Sequence, residues 1–277
     1  MPLPPGVNTK SAIKRAVKKI LAKSPARRQG EDSRILTYHS VGARDHEMNV
    51  SPNDFSDQMQ WLCDHVEVIT LDEAARGLPG VAITLDDGYA DNLKNAAPIL
   101  QRHEFPATVF VVAGRLGAMS GHDNGREHAR LLSESELIQL HEAGVEIGGH
   151  CMTHPRLSSL DSTSKREEIV ECKRVLESIV GGPVRAFAYP YGTDRDFDAE
   201  SIELVQEAGY AYAVSNRYGA NRATSNRFAL RRMNVDRTDT LATFAAKVDG
   251  RLDALRFLES DLGLYARAAL NRMLQTH

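Results

Sequence analysis

The sequence predicts an α/β domain built on parallel strands with helical crossovers, either a barrel or an open doubly wound sheet. Three observations lead there. From Ser33 onward, short apolar runs rich in Val, Ile, Thr and aromatic residues alternate with longer amphipathic stretches. This alternation continues through about 200 residues, which implies strands that run parallel and return through helices. With 277 residues and 42% hydrophobic content, the chain can bury one large core.

In chain order, "SAIKRAVKKILAK" comes first and places Ile13, Val17, Ile20 and Leu21 on one helical face among lysines. Such a basic amphipathic helix suits either an anionic membrane, met through residues 10–23, or packing of its narrow stripe on the domain. Pro25 and "RRQGEDS" follow as a linker, so residues 1–33 form a unit apart. The segments "RILTYHSV", "EVITL", "VAITL", "PATVFVVA", "VEIGGH", "VRAFAYP", "YAYAVS" and "FALRRMNV" are expected strands. Between them "SPNDFSDQMQWLCDH", with Ser51 as cap, "LKNAAPILQRH", "SESELIQLHEAG", "STSKREEIVECKRVLESIVGG" and "AESIELVQEAG" are expected helices, several ending on a glycine suited to a C-terminal cap. Residues 34–240 form the main domain, and 241–277 have helical spacing and form a terminal extension packed on it.

Charge and cysteine usage narrow the function classes. A net charge of -3 argues against general nucleic-acid binding, which needs a basic excess to neutralise phosphates. The asymmetry is local: residues 1–30 carry eight lysines and arginines and no acid. Cys63, Cys151 and Cys172 are odd in number and widely spaced, which fits a reducing compartment. Lysines interrupt every apolar cluster near the N-terminus, and no run approaches the roughly 20 apolar residues of a membrane span. A cytoplasmic protein, held at most peripherally at the inner membrane surface, is therefore expected. Neither GxGxxG nor GxxxxGK[ST] follows a strand, so nucleotide binding has little support.

In parallel α/β folds the chemistry gathers at the carboxyl ends of strands. The polar residues there are His39 after "ILTY", Asp86 and Asp87 after "VAITL", His150 after "VEIGG", and "YPYG" after "RAFA", with His154 four residues beyond His150. Two imidazoles so spaced and a carboxylate from another strand can make a three-ligand facial site for a divalent metal, with room left for water. A pair of hydrogen-bonded histidines at a strand–helix junction and a solvated Asp-Gly turn are the plainer readings. With a metal present the aspartates divide their labour: one binds the cation, and the other remains ionised to accept a proton from water.

Here three ordered motifs carry a resemblance. "TLDDGYADN", "GGHCMTHPRLSSL" and "FAYPYG" resemble the first, second and third motifs of the NodB-type polysaccharide deacetylases (carbohydrate esterase family 4), and "ILTYHSVG" is similar to the opening strand of the branch with the poly-N-acetylglucosamine deacetylases. The resemblance implies a distorted (β/α)7-type barrel and one divalent ion, Zn2+ first, with Ni2+, Co2+ or Fe2+ as alternatives. It implies Asp86 as general base and Asp87, His150 and His154 as metal ligands. The oxyanion would be met by the backbone N–H of Tyr191, which follows Pro190. The reaction implied is metal-assisted amide hydrolysis in which Asp86 deprotonates the attacking water.

Three positions depart from the pattern. Ala188 stands where relatives often place a base-orienting arginine, and Arg232 in "FALRRMNV" is the candidate replacement. Cys151 replaces the usual serine or threonine after the first metal histidine, which puts the geometry of that loop in question. The late Leu-x-His motif that carries the general acid is missing from its expected region, "LQTH" lying at the extreme C-terminus. Resemblance to the branch with the "YH" opening, whose first-strand histidine lies near the metal site, implies His39 as general acid or leaving-group partner, the alternative being a histidine that hydrogen-bonds a metal ligand. His122 and His128 are assigned to a solvated loop. The function expected is removal of N-acetyl groups from an N-acetylhexosamine glycan or its lipid-linked precursor. Hydrolysis of another small amide or O-acetyl ester, and silent glycan binding on the same scaffold, are the alternatives.

Overall fold

The computed structural model describes Gly30 and residues 32–43, 46–120 and 129–253. The basic segment 10–23, His122, His128 and the chain from residue 254 on lie outside the described residues.

Strand β1 (Ser33–Tyr38) is followed by the short β2 (Ser40–Val41) and β3 (Asn49–Val50), which pair with each other. Helix α1 (Pro52–His65) starts where Ser51 accepts the Asp54 amide and Pro52 occupies the first turn. Next come α2 (Leu71–Ala75) and β4 (Gly80–Leu85). A π-helical turn, Asn92–Ala96, then leads into α3 (Ala97–Arg102). The remaining elements are β5 (Ala107–Val111), α4 (Glu134–Glu142), β6 (Glu146–Gly149), α5 (Ser162–Val180), β7 (Ala186–Ala188), α6 (Ala199–Glu207), β8 (Tyr212–Val214), β9 (Met233–Asn234) and α7 (Leu241–Val248). Ser133, Asp161, Asp198 and Thr240 cap α4, α5, α6 and α7, and Gly181 ends α5 in the left-handed region at φ 67.

One expected strand is corrected. "EVITL" contributes only an isolated bridge between Val68 and Val81. Thr70 accepts the Glu73 amide while the Glu73 carboxylate returns to the Thr70 N–H, and this reciprocal cap starts α2 inside the apolar run.

The seven-stranded sheet runs β8-β7-β6-β5-β4-β1-β9 with every pairing parallel. Its two ends come together: Leu230 bridges Val214 beside β8, and three residues later Met233 pairs with Leu36 of β1. The segment around β9 therefore closes the sheet into the distorted (β/α) barrel. Successive residues on each strand face opposite sides. Leu36, Ile83, Val109, Ile147, Phe187 and Ala213 join the larger core beneath the helices. Ile35, Ala82, Phe110, Ala186, Ala188, Tyr212, Val214 and Leu230 form the inner cluster. The lumen is narrow: a Cβ on Gly148 would lie 2.5 Å from Phe110 Cδ1. Lower in it, Glu146 accepts hydrogen bonds from Thr108 (2.6 Å) and Tyr212 (2.5 Å).

Helix α7 lies against α1, with the Phe244 ring edge-on to Trp61 at 5.9 Å. The turn after it is tied to β1 by Arg34, which is buried and donates to both Asp253 oxygens at 2.8 and 2.9 Å. Among the described residues, no helix is long and apolar enough to cross a membrane. Because the Asp253 side chain keeps 22% of its exposure, Arg34→Ala should cost about 2 kcal/mol, less than the about 3–5 kcal/mol of a fully buried pair. The change in urea midpoint at constant m-value measures it.

Candidate active site

Continuing the strands at period two past their carboxyl ends sets the site's inner ring. Ile35 and Thr37 lead to His39, Ala82 and Thr84 to Asp86, Glu146 and Gly148 to His150, Ala186 and Ala188 to Pro190, and Tyr212 and Val214 to Asn216. The Asp86 N–H still pairs with the Tyr38 carbonyl (2.9 Å), and the His150 N–H with that of Val111 (3.0 Å), so both side chains leave a rigid sheet edge.

Asp87, His150 and His154 converge. Asp87 Oδ1 lies 3.5 Å from His150 Nε2 and 3.5 Å from His154 Nε2. One ligand atom from each falls within 4.8 Å of the others, and all three residues are buried. His150 Nδ1 is 2.7 Å from the Ala188 carbonyl. Nδ1 must carry the proton in that bond, which leaves Nε2 as the lone-pair atom. Among the described residues, five other than glycine have positive φ: Asp87 (72°), Cys151 (63°), His154 (66°), Tyr191 (59°) and Glu104 (56°). Four of these belong to the site, and such backbone costs on the order of 1–3 kcal/mol each. A buried donor set of one carboxylate oxygen and two imidazole nitrogens fits a divalent ion of Zn2+ type.

Asp86 faces the other way, into the lumen. The guanidinium of Arg232 donates to both its oxygens at 2.7 and 2.6 Å, and both side chains are buried. Arg232 also donates to the Ser215 carbonyl (2.9 Å), Thr84 Oγ1 (3.1 Å) and Asn216 Oδ1 (2.9 Å), and sits over the Phe110 ring. Burial pushes the Asp86 carboxyl up, but the charge and hydrogen bonds of Arg232 hold it below its ordinary value. The residue is thus an oriented, ionised carboxylate. Ala188 also faces the lumen that this guanidinium fills, so the arginine function comes from the end of the barrel instead of from β7.

His39 is brought to the same cluster. Burial lowers its pKa, and Asp87 and Asp86 only partly oppose this against Arg232 and His150. A neutral imidazole results, which must receive a proton before it can give one. Its Nδ1 is buried and makes no hydrogen bond among the described residues. The first motif holds its backbone: Asn92 donates to the His39 carbonyl (2.8 Å), and Asp91 accepts from Ser40 Oγ (2.6 Å) and the Val41 N–H (3.2 Å).

Pro190 and Tyr191 form the facing wall. The Gly192 N–H closes a tight turn onto the Pro190 carbonyl (2.7 Å), and Asn216 Nδ2 donates to the Tyr191 carbonyl (2.9 Å). Gly192 is required, since a Cβ there would lie 2.6 Å from the Asn216 nitrogen. The Tyr191 ring stands edge-on to His154 at 4.7 Å, with the Arg156 guanidinium 4.0 Å over it. Arg156 in turn pairs with the buried Asp196. Sequence reasoning missed Asn216, Arg156 and Asp196. Asn216 had a signal, its place two residues past an inward-facing valine, whereas the Arg156–Asp196 pair joins two loops and leaves none.

Comparison with known proteins decides the family. A family model described as polysaccharide deacetylase matches residues 74–213, just over half of the chain. The chain belongs to that family. This polysaccharide deacetylase is 26% identical over 221 residues to the poly-beta-1,6-N-acetyl-D-glucosamine N-deacetylase of Staphylococcus epidermidis, covering 73% of each chain. Its fold matches the Streptococcus pyogenes deacetylase PplD in complex with acetate, with a TM-score of 0.69 and 20% identity over 79% of this chain and 99% of that one. It also matches IcaB from Ammonifex degensii, with a TM-score of 0.67 and 24% identity over 80% of this chain and 98% of that one.

Removing one member of the buried pair strands a charge. Arg232→Met should destabilise this deacetylase by about 3–5 kcal/mol, and adding Asp86→Asn should recover most of the loss. Additive urea-unfolding energies would contradict the coupling.

Proposed function

We propose that this deacetylase removes N-acetyl groups from an N-acetylhexosamine glycan, with one divalent ion, Zn2+ first, held by Asp87, His150 and His154. The observation that carries the reading is the division of two adjacent carboxylates, Asp86 on Arg232 and Asp87 on two imidazoles. The ion, when bound, supplies a Lewis acid for the acyl oxygen and acidifies water. Asp86, ionised and fixed by the guanidinium fork, takes the proton of the attacking water. The Tyr191 N–H, on the turn fixed by Gly192 and Asn216, donates to the developing oxyanion. His39, neutral at rest, receives that proton from Asp86 and delivers it to the leaving amine, which restores the ionised Asp86 and the neutral imidazole. The N-deacetylase named among the relatives supports an amide substrate.

Acetate release from β-1,6-linked N-acetylglucosamine oligomers, suppressed by a chelator and restored by Zn2+, tests the reading. Asp86→Asn should keep the metal and lose about 10²–10⁴-fold in turnover. Asp87→Ala should lose the metal itself. Release only from O-acetyl esters, or no release with metal bound, overturns the amide assignment.

A lipid-linked precursor at the inner leaflet is the substrate form we propose, on the strength of the basic segment 10–23. Deleting residues 1–30 should reduce co-sedimentation with anionic vesicles; unchanged partitioning removes the idea.

A further inference from the structure

We infer that Glu168, on α5, is a positioning residue that preorganises the loop between the two metal histidines and so sets its affinity for the ion. The inference rests on the reading of Asp87, His150 and His154 as ligands. It begins from a local conflict. To aim both imidazoles at Asp87, the loop places two non-glycine residues, Cys151 and His154, at φ 63 and 66. That strain persists only where the surroundings over-determine the backbone.

One side of the loop is fixed by the turn after β5: the amides of Ala113 and Gly114 donate to the carbonyls of Cys151 and Met152, both at 3.0 Å. The approach is close enough that a Cβ on Gly114 would lie 2.6 Å from the Met152 oxygen. On the other side the loop is held by Glu168. Its Oε2 accepts the amides of Met152 (2.8 Å) and Thr153 (2.9 Å), and its Oε1 accepts the Thr153 hydroxyl (2.6 Å). Three charge-assisted bonds from one carboxylate thus hold Met152 and Thr153, two of the three residues that link the ligands.

Cys151 adds little to this. Its side chain is buried, and a thiol is only a weak donor where a hydroxyl would bond strongly. Glu168 is itself anchored, because its neighbours Ile169, Cys172 and Leu176 bury α5 against the barrel. A cavity of about 740 Å³, lined by Met152, Thr153, Pro155 and Glu168 among others, opens on the outer side of the loop. Water can therefore reach the two amides when the carboxylate is removed. The loss should appear as loop freedom and weaker metal binding, and not as global unfolding.

The test uses the full chain and Zn2+ alone, with the dissociation constant measured by chelator competition. Glu168→Ala should weaken Zn2+ binding by about 10–100-fold, and Glu168→Gln by less, since one carboxamide oxygen can still accept. Glu167→Ala, one residue away and exposed, should bind as the wild type does. Saturating Zn2+ should restore turnover in both Glu168 variants. Urea midpoints establish that each variant is folded, and Glu168→Gln decides the matter if Glu168→Ala does not fold. Affinity within about twofold of wild type in a folded Glu168 variant overturns this inference alone. A folded wild-type chain that binds no divalent ion overturns the metal reading and this inference with it.

Discussion

Two carboxylates are buried side by side at the end of β4, Asp86 1% and Asp87 3% exposed, and each needs its own compensation. Two unit charges about 4 Å apart interact by about 4 kcal/mol even at an effective dielectric of 20, and desolvating each adds several more. No single counter-charge serves both, because the strand sends them in different directions. Asp86 continues the inward series of Ala82 and Thr84, whereas Asp87 turns out of the strand at φ 72. Arg232 meets the first within the barrel, and His150 with His154 meets the second at its mouth. Imidazoles are weak compensation unless they share a cation, which is the electrostatic reason for regarding that cluster as a metal site.

The barrel's irregular closure follows from the same need. Arg232 must enter a lumen already holding Phe110, and it does so from the segment bridging β8 and β1, just before the two-residue β9. Small inward residues, Ala82, Gly148, Ala186 and Ala188, leave the volume that the guanidinium requires. An arginine at 188 would face the same lumen, so its absence and the presence of Arg232 are two aspects of one packing solution.

Much of this was legible in the sequence, because strand ends in a parallel barrel are set by short-range pattern. The run "VAITL" announces both the strand and the two aspartates that follow it, and "VEIGG" announces His150 in the same way. "EVITL" misled because β-branched residues outweighed the Thr-x-x-Glu cap written inside it. Arg232 could be nominated but not placed, since its partner is 146 residues away in sequence. Arg156 with Asp196, and Glu168 with the loop at 152 and 153, were invisible for a related reason. These contacts join loops to elements that only the closed fold brings together.

Asn216 shows how the halves of the site depend on one another. Its Oδ1 accepts from the arginine that holds Asp86, its Nδ2 donates to the Tyr191 carbonyl, and its own N–H pairs with the Gly192 carbonyl. The side-chain amide accepts from the guanidinium with one atom and donates to the backbone carbonyl with another; an aspartate could not donate, and would compete with Asp86 for Arg232. The arginine that orients the carboxylate and the left-handed turn at Tyr191 are therefore linked through one residue, two positions past the end of β8. Because Tyr191 in turn packs edge-on against His154, a displacement at any of these positions is carried through rigid contacts to the others.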